Sequence, residues 1–374
     1  MAGFGRQGRR DPAAAGSNAV NILALTKYGP RAASTRQRFQ QFEPALNAAG
    51  FTVDYAPLLD DSHMNRLVEG QRTPLFQIVK SYAHRLRILA TARRYEAVWV
   101  AYELFPFLPL ERLAAAIGRP LVVDYDDAIF HRYDASPRSI VRRLLGRKLE
   151  PLLRATSACV CGNAYLQRHI ARFCPNTLVI PTVVDTDAYV PRVADSAGPS
   201  VIGWIGSPST WANVRPLLPM LRTLVIEQGI IVRAVGAGAA AASDAFPGLE
   251  LVEWSEATEI ADVQSFDIGI MPLRDLPFER GKCGYKLIQY MACALPVVAS
   301  PVGVNSQIVS DGDNGMLATS DEEWRAALTA LIADPALRRR LGAKSRDDIV
   351  ANYSLASQAP RLVELFRSVL KATP

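Results

Sequence analysis

The chain has 374 residues, 49% of them apolar and 21% charged, with 24 Gly and 25 Pro. That composition excludes a disordered chain, a collagen-like repeat and a small disulfide scaffold, and the length predicts two domains. The net charge of +6 is uneven: residues 1–190 carry 25 Lys/Arg against 16 Asp/Glu and residues 191–374 carry 17 against 20, so the first half suits an anionic partner.

Residues 1–18 are basic and polar and are expected to form a disordered tail, because the apolar run from Val20 to Leu25 is too short for a signal segment. The continuous apolar run AVNILALT predicts a buried parallel strand, followed by a helical stretch at 35–49. Strand 51–58, a helical region 63–94, strand 97–102, a helix near 109–117 and strand 120–127 come next. A basic helix at 136–154, strand 158–163, helix 164–173 and strand 176–182 complete the first half. This alternation predicts a doubly wound parallel sheet. The aperiodic stretch 185–199 is rich in Pro, Asp, Ser and Gly, which places a linker at 191–199 between domains spanning 19–190 and 200–355.

The alternation restarts with strand 200–207, helix 213–228, strand 230–238, strand 249–254, a short helix 256–264 and strand 266–273. Helix 283–293, strand 295–300, a strand-turn segment 306–318 and helices 321–333, 335–352 and 356–371 follow. In open parallel sheets ligands sit beyond the carboxyl ends of the strands, so the predicted site is the cleft between the two domains. No window approaches about 18 uninterrupted apolar residues, the length needed to span a bilayer. Five cysteines, Cys159, Cys161, Cys174, Cys283 and Cys293, form no Cys-x-x-Cys pair and have no His at zinc spacing, which fits a reduced cytoplasmic protein without a metal.

The richest chemistry lies between Asp267 and Leu317. A loop at 279–284 rich in small residues runs into a helix near Cys283, offering backbone N–H groups and a positive helix end to a diphosphate. Arg280, Lys282 and Lys286 add three cations, and the turn Gly303-Val304-Asn305 adds further amides. In the first half, Asp124, Asp126 and Asp127 crowd the end of one strand; such like charges repel unless a ligand or cation intervenes. Gly236-Ala237-Gly238-Ala239-Ala240-Ala241 fits a dinucleotide fingerprint but follows the second strand of its domain rather than the first. The segment 138–154 is amphipathic and basic, and reads either as a helix lying on anionic lipid or as a packed helix with a solvated face. No aromatic platform or known motif supports nucleic-acid binding.

Taken in order, the D-I-x-x-x-P strand, the helix ending Met291-Ala292-Cys293, the run Leu295-Pro296-Val297-Val298-Ala299 and Asp311-Gly312-x-x-Gly315 resemble the donor-binding half of retaining glycosyltransferases of the two-domain GT-B fold, often called family 4. The first half resembles a branch of the same family through Arg36-Gln37-Arg38, Glu103, the run Val123 to Ala128, Cys161-Gly162-Asn163 and Pro181-Thr182-Val183-Val184-Asp185. The resemblance covers residues 20 to about 368. Most members carry two Glu separated by seven residues; this chain has Gly281 and Gln289 there, with Glu279 two positions early and Gln307 in place of a later Glu. Where relatives place Arg and Lys on the donor phosphates it reads Gly206-Ser207-Pro208-Ser209-Thr210.

The resemblance implies two Rossmann-like domains facing each other across a cleft, a C-terminal helix over 356–374 that crosses back to the first domain, and a metal-independent retaining transferase without a resident cofactor. Such an enzyme moves a hexose from a nucleotide diphosphate sugar to a glycan acceptor, here expected to be lipid-linked, in surface polysaccharide or glycolipid synthesis. Asp126, Lys286 and Arg280 are the implied catalytic residues. Donor contacts fall to Gly206, Ser207, Ser209, Thr210, Trp254, Glu259, Glu279, Lys282, Cys283, Gly284, Gln289, Gly303, Val304 and Asn305. Acceptor contacts fall to Arg36, Arg38, Glu103, Asp124, Asp127 and Asn163. The alternatives are a nucleotide-sugar-binding protein without transfer activity, motivated by the missing Glu pair, and another GT-B enzyme such as a sugar-nucleotide epimerase. The location implied is cytoplasmic, with a peripheral seat on the inner face of the membrane as its extension.

Overall fold

The computed structural model describes residues 20–60, 63, 66, 73–192 and 198–372. The expected tail, most of the expected linker and the start of the expected 63–94 helix therefore lie outside the described residues.

The first half contains β1 (Val20–Leu25), α1 (Ala33–Arg38), α2 (Glu43–Ala48), β2 (Phe51–Tyr55), α3 (Leu75–Thr91), β3 (Ala97–Ala101), β4 (Leu121–Tyr125), α4 (Ser139–Leu145), α5 (Glu150–Arg154), β5 (Ala158–Cys161), α6 (Ala164–Ile170) and β6 (Thr177–Val179). All six strands pair parallel in the order β2-β1-β3-β4-β5-β6. Every residue of β3, β4 and β5 is buried, which is why these strands read as near-continuous apolar runs, broken only by Asp124, instead of alternating ones.

The second half contains β7 (Val201–Ile205), α7 (Pro208–Trp211), α8 (Leu218–Gln228), β8 (Ile231–Val235), β9 (Leu249–Val252), α9 (Glu259–Gln264), β10 (Ile268–Met271), α10 (Pro277–Arg280), α11 (Tyr285–Ala292), β11 (Val297–Ala299), α12 (Asn305–Ile308), β12 (Met316–Leu317), α13 (Asp321–Ala333), α14 (Pro335–Asn352) and α15 (Leu355–Lys371). Its sheet runs β12-β11-β10-β7-β8-β9, again parallel throughout. The chain order therefore reverses between β7 and β10, and the crevice beyond their carboxyl ends is where such a sheet takes a ligand. α15 returns to the first sheet, where Phe366 packs edge-on to Trp99 at 5.4 Å and lies 6.0 Å from Phe51.

Several expected helices are shorter than their periodicity suggested. The stretch 35–49 breaks at Phe39, whose backbone leaves the helical region, so α1 and α2 are separated by a tight 3-10 turn. The stretch 109–117 is a 3-10 helix over Glu111–Ala116. The basic helix expected over 136–154 is two helices, because Lys148 and Leu149 turn inward between them. Lys148 pairs there with Glu103 and lies 3.3 Å from Glu111, so it is no part of a solvated basic face. All five cysteines are free thiols and buried. Among the described residues no helix is long and apolar enough to cross a membrane.

Candidate functional site

The β7–α7 turn lies at the reversal point of the second sheet. Ser207 caps α7 through a reciprocal arrangement in which the Ser207 N–H donates to Thr210 Oγ1 at 3.1 Å and the Thr210 N–H to the Ser207 carbonyl at 2.9 Å. Ser207 Oγ is 3.0 Å from Ser209 Oγ, so three hydroxyls share one turn. Gly206 permits the crossing of a side chain: a Cβ there would stand 2.7 Å from Lys286 Cε and 2.8 Å from Thr210 Oγ1. Lys286, on the first turn of α11, thus lies across the turn with its ammonium 5.5 Å from the Trp204 ring centroid.

The three expected cations separate in role. Arg280 holds the exposed Asp275 at 2.6 and 2.9 Å, a hydrogen bond that raises its pKa. Lys282 reaches across the cleft to Asp127 at 2.9 and 3.2 Å; burial alone would depress it, and Asp127 lifts it above the ordinary lysine value. Lys286 has no hydrogen bond or ion pair among the described residues, and burial, with Lys282 close by, brings its pKa down to about 8. A cation in that state is one that an incoming anion stabilises most.

Across the cleft, β4 delivers Asp126 and Asp127. Tyr102, at the end of β3 with a left-handed backbone (φ 62), donates its hydroxyl to Asp126 Oδ1. Burial and the neighbouring Asp127 push the Asp126 carboxyl up to about 6. A narrow pocket here is lined by Lys27, Thr35, Arg38, Tyr102, Asp124 and Asp126. Tyr102 was not singled out in the sequence; its place at the carboxyl end of a strand was the available signal.

The two halves are tied directly. Asn163 caps α6 by accepting from Leu166 N, while its Nδ2 donates to the carbonyls of Gly281 and Lys282, each at 3.0 Å. The Cys283 thiol donates to the Asp126 carbonyl at 2.9 Å, and a Cβ on Gly162 would collide with that sulfur at 2.2 Å. Arg36 of α1 pairs with Glu256 at 3.0 Å and stacks over Trp254 at 5.4 Å, with Nε and Nη2 buried and unpartnered. A groove of about 550 Å³ runs between the halves on the side of α14 and α15, lined among others by Asn163, Gln307, Asp313, Lys344 and Arg361.

The structure gives the other expected contact residues the following partners. Arg38 and Asp124 are expected at the acceptor, yet they form a buried two-pronged ion pair at 2.8 and 3.1 Å, because each needs the other's charge inside the sheet. Glu103, also expected there, is buried and accepts from Tyr133 and Lys148. Gln289, expected at a ribose, is 3% exposed and donates to Glu259 Oε1 and to the Tyr189 hydroxyl. Glu259, expected at a base, accepts from Tyr189, Gln289 and Trp254 Nε1, so its oxygens are turned inward. Cys283 and Asn163 join the halves, and Asn305 turns its Nδ2 back to the Ser300 carbonyl. Arg36 faces the second half at Trp254 rather than the Asp126 pocket. Glu279 sits 3.6 Å from Arg274, Val304 is buried, Gly284 caps α11 with φ 68 and Gly303 packs on the Arg280 carbonyl.

Residues 199–334 match the family described as Glycosyl transferases group 1. Over 90 residues the chain is 36% identical to the alpha-maltose-1-phosphate synthases of Mycolicibacterium smegmatis and Mycobacterium tuberculosis, a match covering 22% of this chain and 23% of the length of those relatives. The fold is similar to sucrose-phosphate synthase from Thermosynechococcus elongatus, with a TM-score of 0.70 at 16% identity over 95% of this chain and 100% of that one. It is similar also to HepE of Anabaena, solved in complex with UDP-glucose, with a TM-score of 0.68 at 16% identity over 93% and 99%. WaaG, a glycosyltransferase involved in lipopolysaccharide biosynthesis, gives 0.67 at 13% identity over 92% and 99%. At these identities the likeness shows the fold: two Rossmann-like domains facing each other across a cleft, in the GT-B arrangement.

Proposed function

We propose that this chain transfers a hexose from a nucleotide diphosphate sugar to a lipid-linked glycan acceptor, with retention of configuration and without a metal ion, in surface polysaccharide or glycolipid synthesis. One observation carries the reading: the unpaired Lys286 ammonium crosses a hydroxyl-lined turn at the reversal point of the sheet, inside the stretch that matches the group 1 family. That HepE was solved with UDP and with UDP-glucose supports a nucleotide sugar as donor.

In this reading the diphosphate docks on the Ser207–Thr210 turn and the leading edge of α11. Lys286 meets the charge that grows on the departing phosphate oxygen as the glycosidic C–O bond breaks. The acceptor hydroxyl attacks from the same face, and its proton passes to that phosphate oxygen. Asp126, beside the cleft, orients the acceptor or stabilises positive charge at the sugar. Arg36 closes over the donor from the first domain, its two unpartnered nitrogens turning to donor oxygens.

The deciding experiment is Lys286→Ala assayed with a panel of UDP and GDP sugars. Loss of one transition-state cation is expected to lower kcat about 10²–10³-fold, by analogy with removing an oxyanion donor, with the melting temperature unchanged. Undiminished turnover would overturn the role, and tight donor binding without turnover in the unaltered chain would favour a binding protein.

A further inference from the structure

Beyond the cleft, one face of the first domain is unlike the rest of the surface. Three segments cover the same side of the first sheet: α3, the stretch following β3 through Leu113, and α4. Contacts join α3 to the stretch after β3, and the residues that flank α4 on either side meet that same stretch. The Tyr82 hydroxyl donates to the Pro106 carbonyl at 2.7 Å, Phe107 meets the Tyr133 ring at 5.7 Å, and Lys148 donates to the Phe105 carbonyl. Tyr82, Ile88 and Leu89 of α3 and Val141 and Leu145 of α4 pack inward on one core.

Their outward sides are apolar. Leu75, Phe76, Val79 and Leu86 of α3, Phe107, Leu108 and Leu113, and Ile140 and Leu144 of α4 are exposed, with Leu75, Phe76 and Leu144 at 75%, 68% and 66%. These are nine of the fourteen large apolar side chains exposed among the described residues. Soluble surfaces rarely gather so many in one region.

The charges on the same segments have one sign. Lys80, Arg87, Arg112, Arg138, Arg142 and Arg143 are exposed, and residues 73–95, 104–119 and 136–149, all described, contain no exposed carboxylate. Their single acid, Glu111, is buried, its oxygens taken by the Leu104 and Phe105 amides with Lys148 close by. What faces solvent is therefore a set of arginines and a lysine interleaved with aliphatic and aromatic side chains, the combination that seats in a headgroup layer and inserts to the acyl boundary.

We propose that this face docks on an anionic lipid bilayer, with Ile140, Leu144, Phe107, Leu75, Phe76 and Val79 entering the interface and the cations pairing with phosphate headgroups. The apolar stretch at Phe107 follows on Tyr102, whose hydroxyl reaches Asp126, so docking brings the first-domain side of the cleft toward the membrane. The proposal stands apart from the transfer reading, since it concerns binding without donor or acceptor.

Flotation of the full chain with vesicles of 30% phosphatidylglycerol in phosphatidylcholine, and with phosphatidylcholine alone, tests it at low and high salt. The chain is expected to float with the anionic vesicles, to stay behind with the neutral ones, and to be released as salt screens the cations. Arg142→Glu with Arg143→Glu, and separately Ile140→Ser with Leu144→Ser, should each lower the bound fraction at least tenfold while the melting temperature holds. No flotation of the unaltered chain, or flotation of both variants equal to that of the unaltered chain, overturns the proposal. So does a self-associated chain that the serine variant converts to monomer without any lipid binding, since the face would then seat a second copy.

Discussion

The two sheets share one architecture, but the cations at their centres are treated differently. In the first domain the most deeply buried cations among the described residues are held by internal acceptors: Arg38 grips Asp124, Lys148 meets Glu103 and Glu111, and Arg85 donates to the carbonyls of Thr26 and Ala56. In the second, Lys286 lies across a turn of neutral hydroxyls with no carboxylate on it. A paired buried charge is structure, whereas an unpaired one facing a cleft is an invitation to an anion. The contrast also explains why acidic residues crowd β4 without making a site of each: Asp124 faces the sheet interior, while Asp126 and Asp127 face the cleft.

The comparison breaks first at Asp124. Replacing it with Ala strands the Arg38 guanidinium in the sheet interior and should cost about 3–5 kcal/mol of stability, measured by urea unfolding. If Asp124→Ala unfolds at the wild-type midpoint, the pair is not structural. Lys286→Ala is its mirror image, losing turnover and leaving stability in place.

Asp126 sharpens the contrast through pH. Its folded-state pKa lies near 6 rather than 3.8, so the folded chain favours the protonated form and stability falls as pH rises through that interval. Asp126→Asn should therefore raise the melting temperature at pH 7.5 and leave it nearly unchanged at pH 4. If turnover needs the carboxylate ionised, kcat falls as pH drops below about 6, and that limb disappears in the Asn variant. A melting shift of equal size at both pH values would exclude the raised carboxyl.

The smallest effect is expected at Arg36. Its ion pair with the exposed Glu256 is worth little to stability, but its unpartnered nitrogens face the second domain. Arg36→Ala should weaken UDP or GDP binding about three- to tenfold by calorimetry, without changing the melting point of the free chain. Unchanged affinity would return Arg36 to a purely interdomain contact.

Much of this was legible in the residues. Apolar runs of buried parallel strands announced both sheets, and α13, α14 and α15 follow their predicted stretches because their periodicity and caps are local: Ser320 with Glu323 and Asp334 with Ala336 and Leu337 fix the first turns of α13 and α14. The Lys286 cluster was visible because its members lie within a few residues of each other. The residues whose partners the sequence does not show share a different property. Arg38 and Asp124 are 86 residues apart, Gln289 and Glu259 are 30, and Asn163 reaches carbonyls 118 and 119 residues away. A motif position says that a polar group stands at a strand end; it does not say which way the group turns.

The sequence by itself determined the two doubly wound sheets and the excess of positive charge in the first half, and pointed to the cleft between the domains as the place for a ligand, since hydrophobic period, turn residues and composition act over short spans of chain. Only the tertiary structure decided which charges cancel and which remain. Desolvation makes an isolated buried charge costly, so each one is settled by whichever partner the fold brings within about 3 Å, however distant along the chain. That selection left Lys286 without a carboxylate partner, Asp126 with a raised pKa across the cleft, and nine exposed apolar side chains among exposed cations on the outer segments of the first domain.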